Sequence, residues 1–184
     1  MWESIRKMWK IPELRNKILY TLGMLVLFRL VGVIPAPGVD AARVLTGTAT
    51  DLPILQLVNM MTGSNFANMT IMAMGITPYI NASIIMQLLT IAIPALERMQ
   101  RDEEGGGREK IARITRYVTV GLAAVQAIGL VAGLGYIKSG WFNYVLVGIS
   151  MAGGSALAMW IGERISEKGV GNGISMLIMA GILC

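Results

Sequence analysis

Residues 59–89 read NMMTGSNFANMTIMAMGITPYINASIIMQLL, and the fold turns on them. The first third is apolar yet dotted with Asn59, Thr62, Gly63, Ser64, Asn65 and Asn68. It is too polar to face lipid and too apolar for an ordinary loop. Such backbone is tolerated at membrane depth only where protein or a water-filled cavity surrounds it. Gly75 and Pro78 then interrupt the helical pattern. Proline removes a backbone donor and clashes with the preceding turn, and glycine relaxes a helix. A broken helix is expected: a short outer piece, a hinge at Gly75 and Pro78, then a full inner piece. Discontinuous membrane helices commonly line a substrate path. The alternative is a plain proline kink satisfied by neighbouring helices.

Outward from this stretch, composition sets the environment. Of 184 residues 54% are hydrophobic and only 15% charged, which points to an integral membrane protein. Five apolar stretches approach the roughly 20 residues that a hydrocarbon core requires: 18–34, 71–96, 117–137, 141–162 and 170–184. The last stops after 15 residues inside an apolar run, so the chain is expected to be a piece of a longer protein. A secretory signal is a poor reading of the start. Its apolar run is interrupted by Arg29 and leads to IPAPG at 34–38 rather than to a small-x-small cleavage site.

Orientation follows from the sixteen basic residues. Arg6, Lys7, Lys10, Arg15 and Lys17 precede the first span; Arg98, Arg101, Arg108, Lys110, Arg113 and Arg116 separate the second and third; Arg164 and Lys168 precede the fifth. Only Arg43 and Lys138 lie on the other side, so a cytoplasmic N-terminus is expected. Residues 1–17 form a cytoplasmic segment in which Trp2, Ile5 and Trp9 recur at helical spacing among basic residues. That pattern suits an amphipathic helix on an anionic leaflet, or a solvated helix packed on the protein itself. Residues 97–116 read as an exposed cytoplasmic loop, net positive around three glycines. Such a loop could dock an acidic protein or RNA, or merely set topology.

Enzymatic chemistry fails on inventory. There is no histidine, and the single cysteine is Cys184. All eleven acidic residues lie outside the apolar stretches, so no carboxylate pair is available within the membrane. Ser155 in GGSAL lacks a nucleophile elbow. The glycine-rich EKGVGNGIS at 167–175 has no phosphate-binding spacing and reads as a closely packed entry to the fifth span. Gly129 and Gly133, with Gly148, Gly153 and Gly154, provide small faces on which the third and fourth spans can pack. Arg29 is the sole ionisable group within a span; it either faces a cavity or bonds neighbouring backbone carbonyls, or it snorkels to the outer headgroups. No cofactor or metal is implied.

Three segments, FRLVGVIPAPGVD, GITPYINASIIMQLL and GERISEKGVGNGISMLIMAGI, resemble the N-terminal half of the bacterial SecY family of protein-conducting channel subunits. The resemblance implies an all-α polytopic membrane fold: five transmembrane helices, half of a ten-helix inverted-repeat channel, with the second helix broken into plug and inner piece. The C-terminal half is absent. It implies a plug over 52–68, with Leu55, Asn59, Met60, Gly63 and Phe66 as plug residues, although its core departs from the family's usual run of small residues after the glycine. It places a pore ring at Ile76, Ile80, Ile174 and Ile178, and a lateral gate near Asn81 and Gln87. Residues i and i+4 share a helix face, and branched apolar groups seal a passage by dewetting. Without the resemblance, these isoleucines read as ordinary helix burial.

The function it implies is passage of unfolded secretory proteins across the bacterial cytoplasmic membrane, and release of apolar segments into the lipid bilayer. The implied partners are SecE-type and SecG-type small membrane subunits, a SecA-type ATPase motor and the ribosome. Five helices cannot enclose the pore, so this polypeptide is expected to need a complementary half. One rival is half of a small-solute secondary transporter, which would need a polar midplane site. Another is a non-conducting membrane scaffold, if the chain truly ends at Cys184.

Overall fold

The structure is a computed structural model that describes residues 1–40, 53–102, 104–135 and 139–183. Leu52 at the start of the expected plug, the charges Arg43, Asp51, Glu103 and Lys138, and Cys184 lie outside the described residues. The described residues form eight α-helices: α1 Trp2–Lys10, α2 Pro12–Gly32, α3 Pro53–Met61, α4 Thr77–Ala92, α5 Pro94–Arg101, α6 Gly107–Leu134, α7 Trp141–Lys168 and α8 Gly173–Leu183.

Helix α7 is the axis of the bundle. Its small residues let neighbours approach on several sides, and α2, α4, α6 and α8 all pack against it. The tightest seam joins α6 to α7. There the Ile128 side chain lies on Gly148, so close that a Cβ on that glycine would stand 2.7 Å from Ile128 Cδ1. Ala127, Val131, Val147 and Met151 complete the contact. The expected Gly129 and Gly133 take no part and face open space. The reason is helical phase: Ala127, Ile128 and Val131 form one stripe, and positions 129 and 133 point away from it.

By length and composition α6 and α7 are membrane-spanning helices, and α4 with α5 forms a pair bent by 103°. The bend sits at Ile93, extended at φ −109°, ψ 109° and followed by Pro94. A proline disfavours the helical region in the residue before it, so α4 stops at Ala92 and α5 departs sideways. The stretch expected as one apolar run, 71–96, is therefore turns, then α4, then the bend. Much of 97–116, expected as a loop, is helical within α5 and α6. Helix α2 is 21 residues long but carries Glu13, Arg15, Lys17 and Arg29, which makes it more polar than α6 or α7.

Residues 62–76 pass through the middle of the molecule as successive turns. They contribute to two apolar clusters. Ala36, Phe66, Met69, Ala73 and Met74 pack with Ala127, Val131, Val147 and Met151. Met72 and Ile76 pack with Phe28, Ala158, Ile161, Ile165 and Leu177. A bridge pairs Pro35 with Thr70; the Ala36 N–H donates to Met69 O and the Ile71 N–H to Ile34 O, both at 3.1 Å. The stiff exit from α2 thereby fixes the path of this non-helical stretch.

Candidate functional site

The segment that leaves α3 is held by its own polar side chains. Asn59 Oδ1 accepts the Ala67 N–H at 2.9 Å. Thr62 Oγ1 donates to Val58 O at 3.0 Å and accepts the Phe66 N–H at 3.3 Å. These bonds supply partners that a helix would otherwise provide, which is why asparagines and a threonine recur in an apolar setting. Phe66 is fully buried, Leu55 packs on the same cluster, and Met60 is exposed. Ser64 at φ 66° and Met69 at φ 45° are left-handed without being glycine. Each is strained by about 1 kcal/mol or more.

Arg29 reaches this segment from α2. Its Nη1 donates to Gly63 O at 3.1 Å and its Nη2 to Ala180 O at 3.0 Å. Nε is buried without a partner among the described residues. Gly63 has φ +64°, and a Cβ there would lie 2.8 Å from Nη1, so both backbone and space demand glycine. Of the two readings of Arg29, the structure has carbonyl binding.

Beside this contact lies a cavity of about 30 Å³, bordered by Phe28, Met61, Gly75, Ile76, Ile80, Leu177 and Ile178. It has room for two or three waters at most, by the usual measure of about 10–15 Å³ per water. Three of the four candidate ring isoleucines therefore border one cavity. The fourth, Ile174, borders an open polar cleft of about 580 Å³ with Tyr79, Arg116, Glu163, Ser166, Glu167 and Asn172. An Arg116–Glu163 ion pair at 2.8 Å ties α6 to α7 at that cleft. Gly75, at φ +54°, turns the chain into α4, and Pro78 sits fully buried in the first turn of that helix. There it forfeits no intrahelical bond.

Asn81 borders a third cleft, of about 380 Å³, with Val58, Phe66, Thr77, Gln126 and Leu130. Gln87 is exposed elsewhere on α4, so the two candidate gate residues are not brought together. Instead Asn81 of α4 shares its cleft with Gln126 of α6, whose Oε1 is buried without a partner among the described residues. Gln126 was missed by the sequence reading. The available signal was a lone amide in an otherwise apolar span.

The glycine-rich entry to α8 has few free donors for a phosphate. The Val170 N–H goes to Thr21 Oγ1 at 3.1 Å, Gly173 N–H to Ser166 Oγ at 2.8 Å, and Ile174 N–H to Asn172 Oδ1 at 3.1 Å. The stretch is a packed, self-capped elbow.

Comparison with known proteins gives a concordant result. The family model described as SecY matches residues 70–184. The chain is 43% identical over 183 residues to the "Protein translocase subunit SecY" of Pyrenomonas salina, covering 98% of this chain and 44% of that protein. It is 39% identical over 191 residues to the Bacillus subtilis subunit of the same name, covering 100% and 44%. The chain thus spans less than half the length of these relatives. Among solved structures it resembles "Sec61 in the Canine ribosome-channel complex from the endoplasmic reticulum" with TM-score 0.64 at 25% identity, covering 96% of this chain and 40% of that one. The values are the same for a structure described as "The structure of a protein conducting channel".

Proposed function

The chain belongs to the SecY family, and on that premise we propose that it forms the N-terminal half of a protein-conducting channel in the bacterial cytoplasmic membrane. Its passengers are unfolded secretory proteins, with apolar segments released into the bilayer. The observation that carries the reading is the small apolar cavity where Ile76, Ile80 and Ile178 meet beneath Met61 and Thr62. Isoleucines offer no hydrogen bonds, so such a constriction excludes ions by dewetting and grips no particular sequence. Ile174, one turn away on α8, extends the ring toward the polar cleft. Leu55, Asn59, Met60, Gly63 and Phe66 form the plug, and Gly75 and Pro78 the hinge on which it connects to α4.

In this reading α2, α4, α6, α7 and α8 are five transmembrane helices and the N-terminus is cytoplasmic. Amphipathic α1 lies on the membrane surface with Trp2, Ile5 and Trp9 toward lipid. Asn81 borders the lateral exit, and Gln87 faces the absent half. SecE-type and SecG-type subunits clamp the assembly. Work is supplied by a SecA-type motor or by a ribosome; the latter is supported by the ribosome-bound state of the similar canine channel. The test replaces Ile76 and Ile80 by serine in the channel completed with its C-terminal half. The expected outcome is a resting ion leak in planar bilayers with unchanged membrane insertion. An unchanged resting conductance would falsify the ring assignment.

A further inference from the structure

We propose that Arg29 is a latch that holds the plug in its resting position by binding Gly63 and Ala180 with one guanidinium. The inference rests on the plug-and-ring reading above and adds to it the residue that sets the closed state. An arginine within a span needs partners, and no ion pair of Arg29 is found among the described residues. Its two bonds reach 34 and 151 residues along the chain, to the turn that follows α3 and to α8. A carbonyl oxygen has two lone pairs, so Ala180 O can accept from Arg29 without giving up a backbone bond.

The placement is specific. Phe28, next to Arg29, and Met61 and Thr62, just before Gly63, all border the cavity that holds Ile76, Ile80 and Ile178. A chain that displaces this segment from the constriction must part Gly63 from Arg29. The same segment carries the strained Ser64 and Met69, so contact at Arg29 opposes strain that release would relieve. Two opposed contributions of this kind narrow the free-energy gap between the seated and the released segment. A guanidinium suits the task because its rigid planar fork serves two acceptors at once. Lysine, a single point charge, serves one carbonyl well.

The test is resting conductance in planar bilayers of the channel completed with its C-terminal half. Wild type, Arg29→Gln and Arg29→Lys are compared with the plug intact and with residues 55–66 deleted. With the plug intact, Arg29→Gln should raise the resting open fraction about tenfold, equal to about 1.4 kcal/mol, and Arg29→Lys by less. Without the plug the three should conduct alike. A tight Arg29→Gln channel overturns the latch, and so does an increase that survives plug deletion, because Arg29 would then act on the pore itself. If plug deletion causes no leak in wild type, the plug reading fails and the latch with it. Should Arg29→Gln not assemble, Gly63→Ala places a Cβ 2.8 Å from Nη1 while keeping the charge. It should leak likewise, and a tight Gly63→Ala channel overturns the latch.

Discussion

Single side chains here carry opposite kinds of information. Arg29 announced itself, because a charge in an apolar run needs an explanation. Its partners did not, since Gly63 and Ala180 contribute only backbone oxygens and no side-chain pattern marks them. Gln126 is the reverse case: a lone amide in its span, it gains weight only once burial leaves its Oε1 without a partner among the described residues. Replacing it by leucine, of similar volume, removes that unsatisfied oxygen from an apolar cleft. Gln126→Leu should therefore raise the thermal stability of the detergent-solubilised protein, by about 1 kcal/mol. A lowered melting temperature would mean that a group beyond the described residues satisfies the amide.

At the scale of elements, composition identified small-residue faces but not which of them is used. Gly148 lies under Ile128, whereas Gly129 and Gly133 meet nothing within 4 Å. Gly148→Leu should disrupt the α6–α7 seam and destabilise the protein by about 1–3 kcal/mol, the usual range for overpacking. Gly129→Leu and Gly133→Leu should cost little more than a surface change. Thermal unfolding of the three variants separates these outcomes; equal losses would sink the assigned seam. The two prolines also behave differently for a local reason. Pro78 opens α4, where a missing N–H is harmless, while Pro94 forces Ile93 out of the helix and turns the chain by 103°. Both were visible as residues, but only the first was singled out.

For the whole molecule, the charge asymmetry makes a topological prediction. Single cysteines at Glu104 and Ser139, in a background where Cys184 is serine, should react with a membrane-impermeant thiol reagent from opposite sides. Glu104 should label from the cytoplasmic face. Labelling of both from one face would remove the five-span arrangement and the orientation together. At the same scale the bundle carries an open polar cleft of about 580 Å³ lined by Tyr79, Arg116 and Glu163.

By itself the sequence determined the membrane class, the helical fold, the family, and the segment of irregular backbone, because each rests on local composition or on contiguous motifs. FRLVGVIPAPGVD, GITPYINASIIMQLL and GERISEKGVGNGISMLIMAGI are each legible without knowing what they touch. The tertiary structure decided what required distant residues to meet: that Ile76, Ile80 and Ile178 share one cavity and Ile174 borders an open cleft, that Asn81 shares a cleft with Gln126, and that Arg29 holds Gly63 and Ala180. These pairings depend on helix phase and crossing, where a shift of one residue turns a side chain by about 100°. No periodicity within a single helix records which neighbour lies across from it.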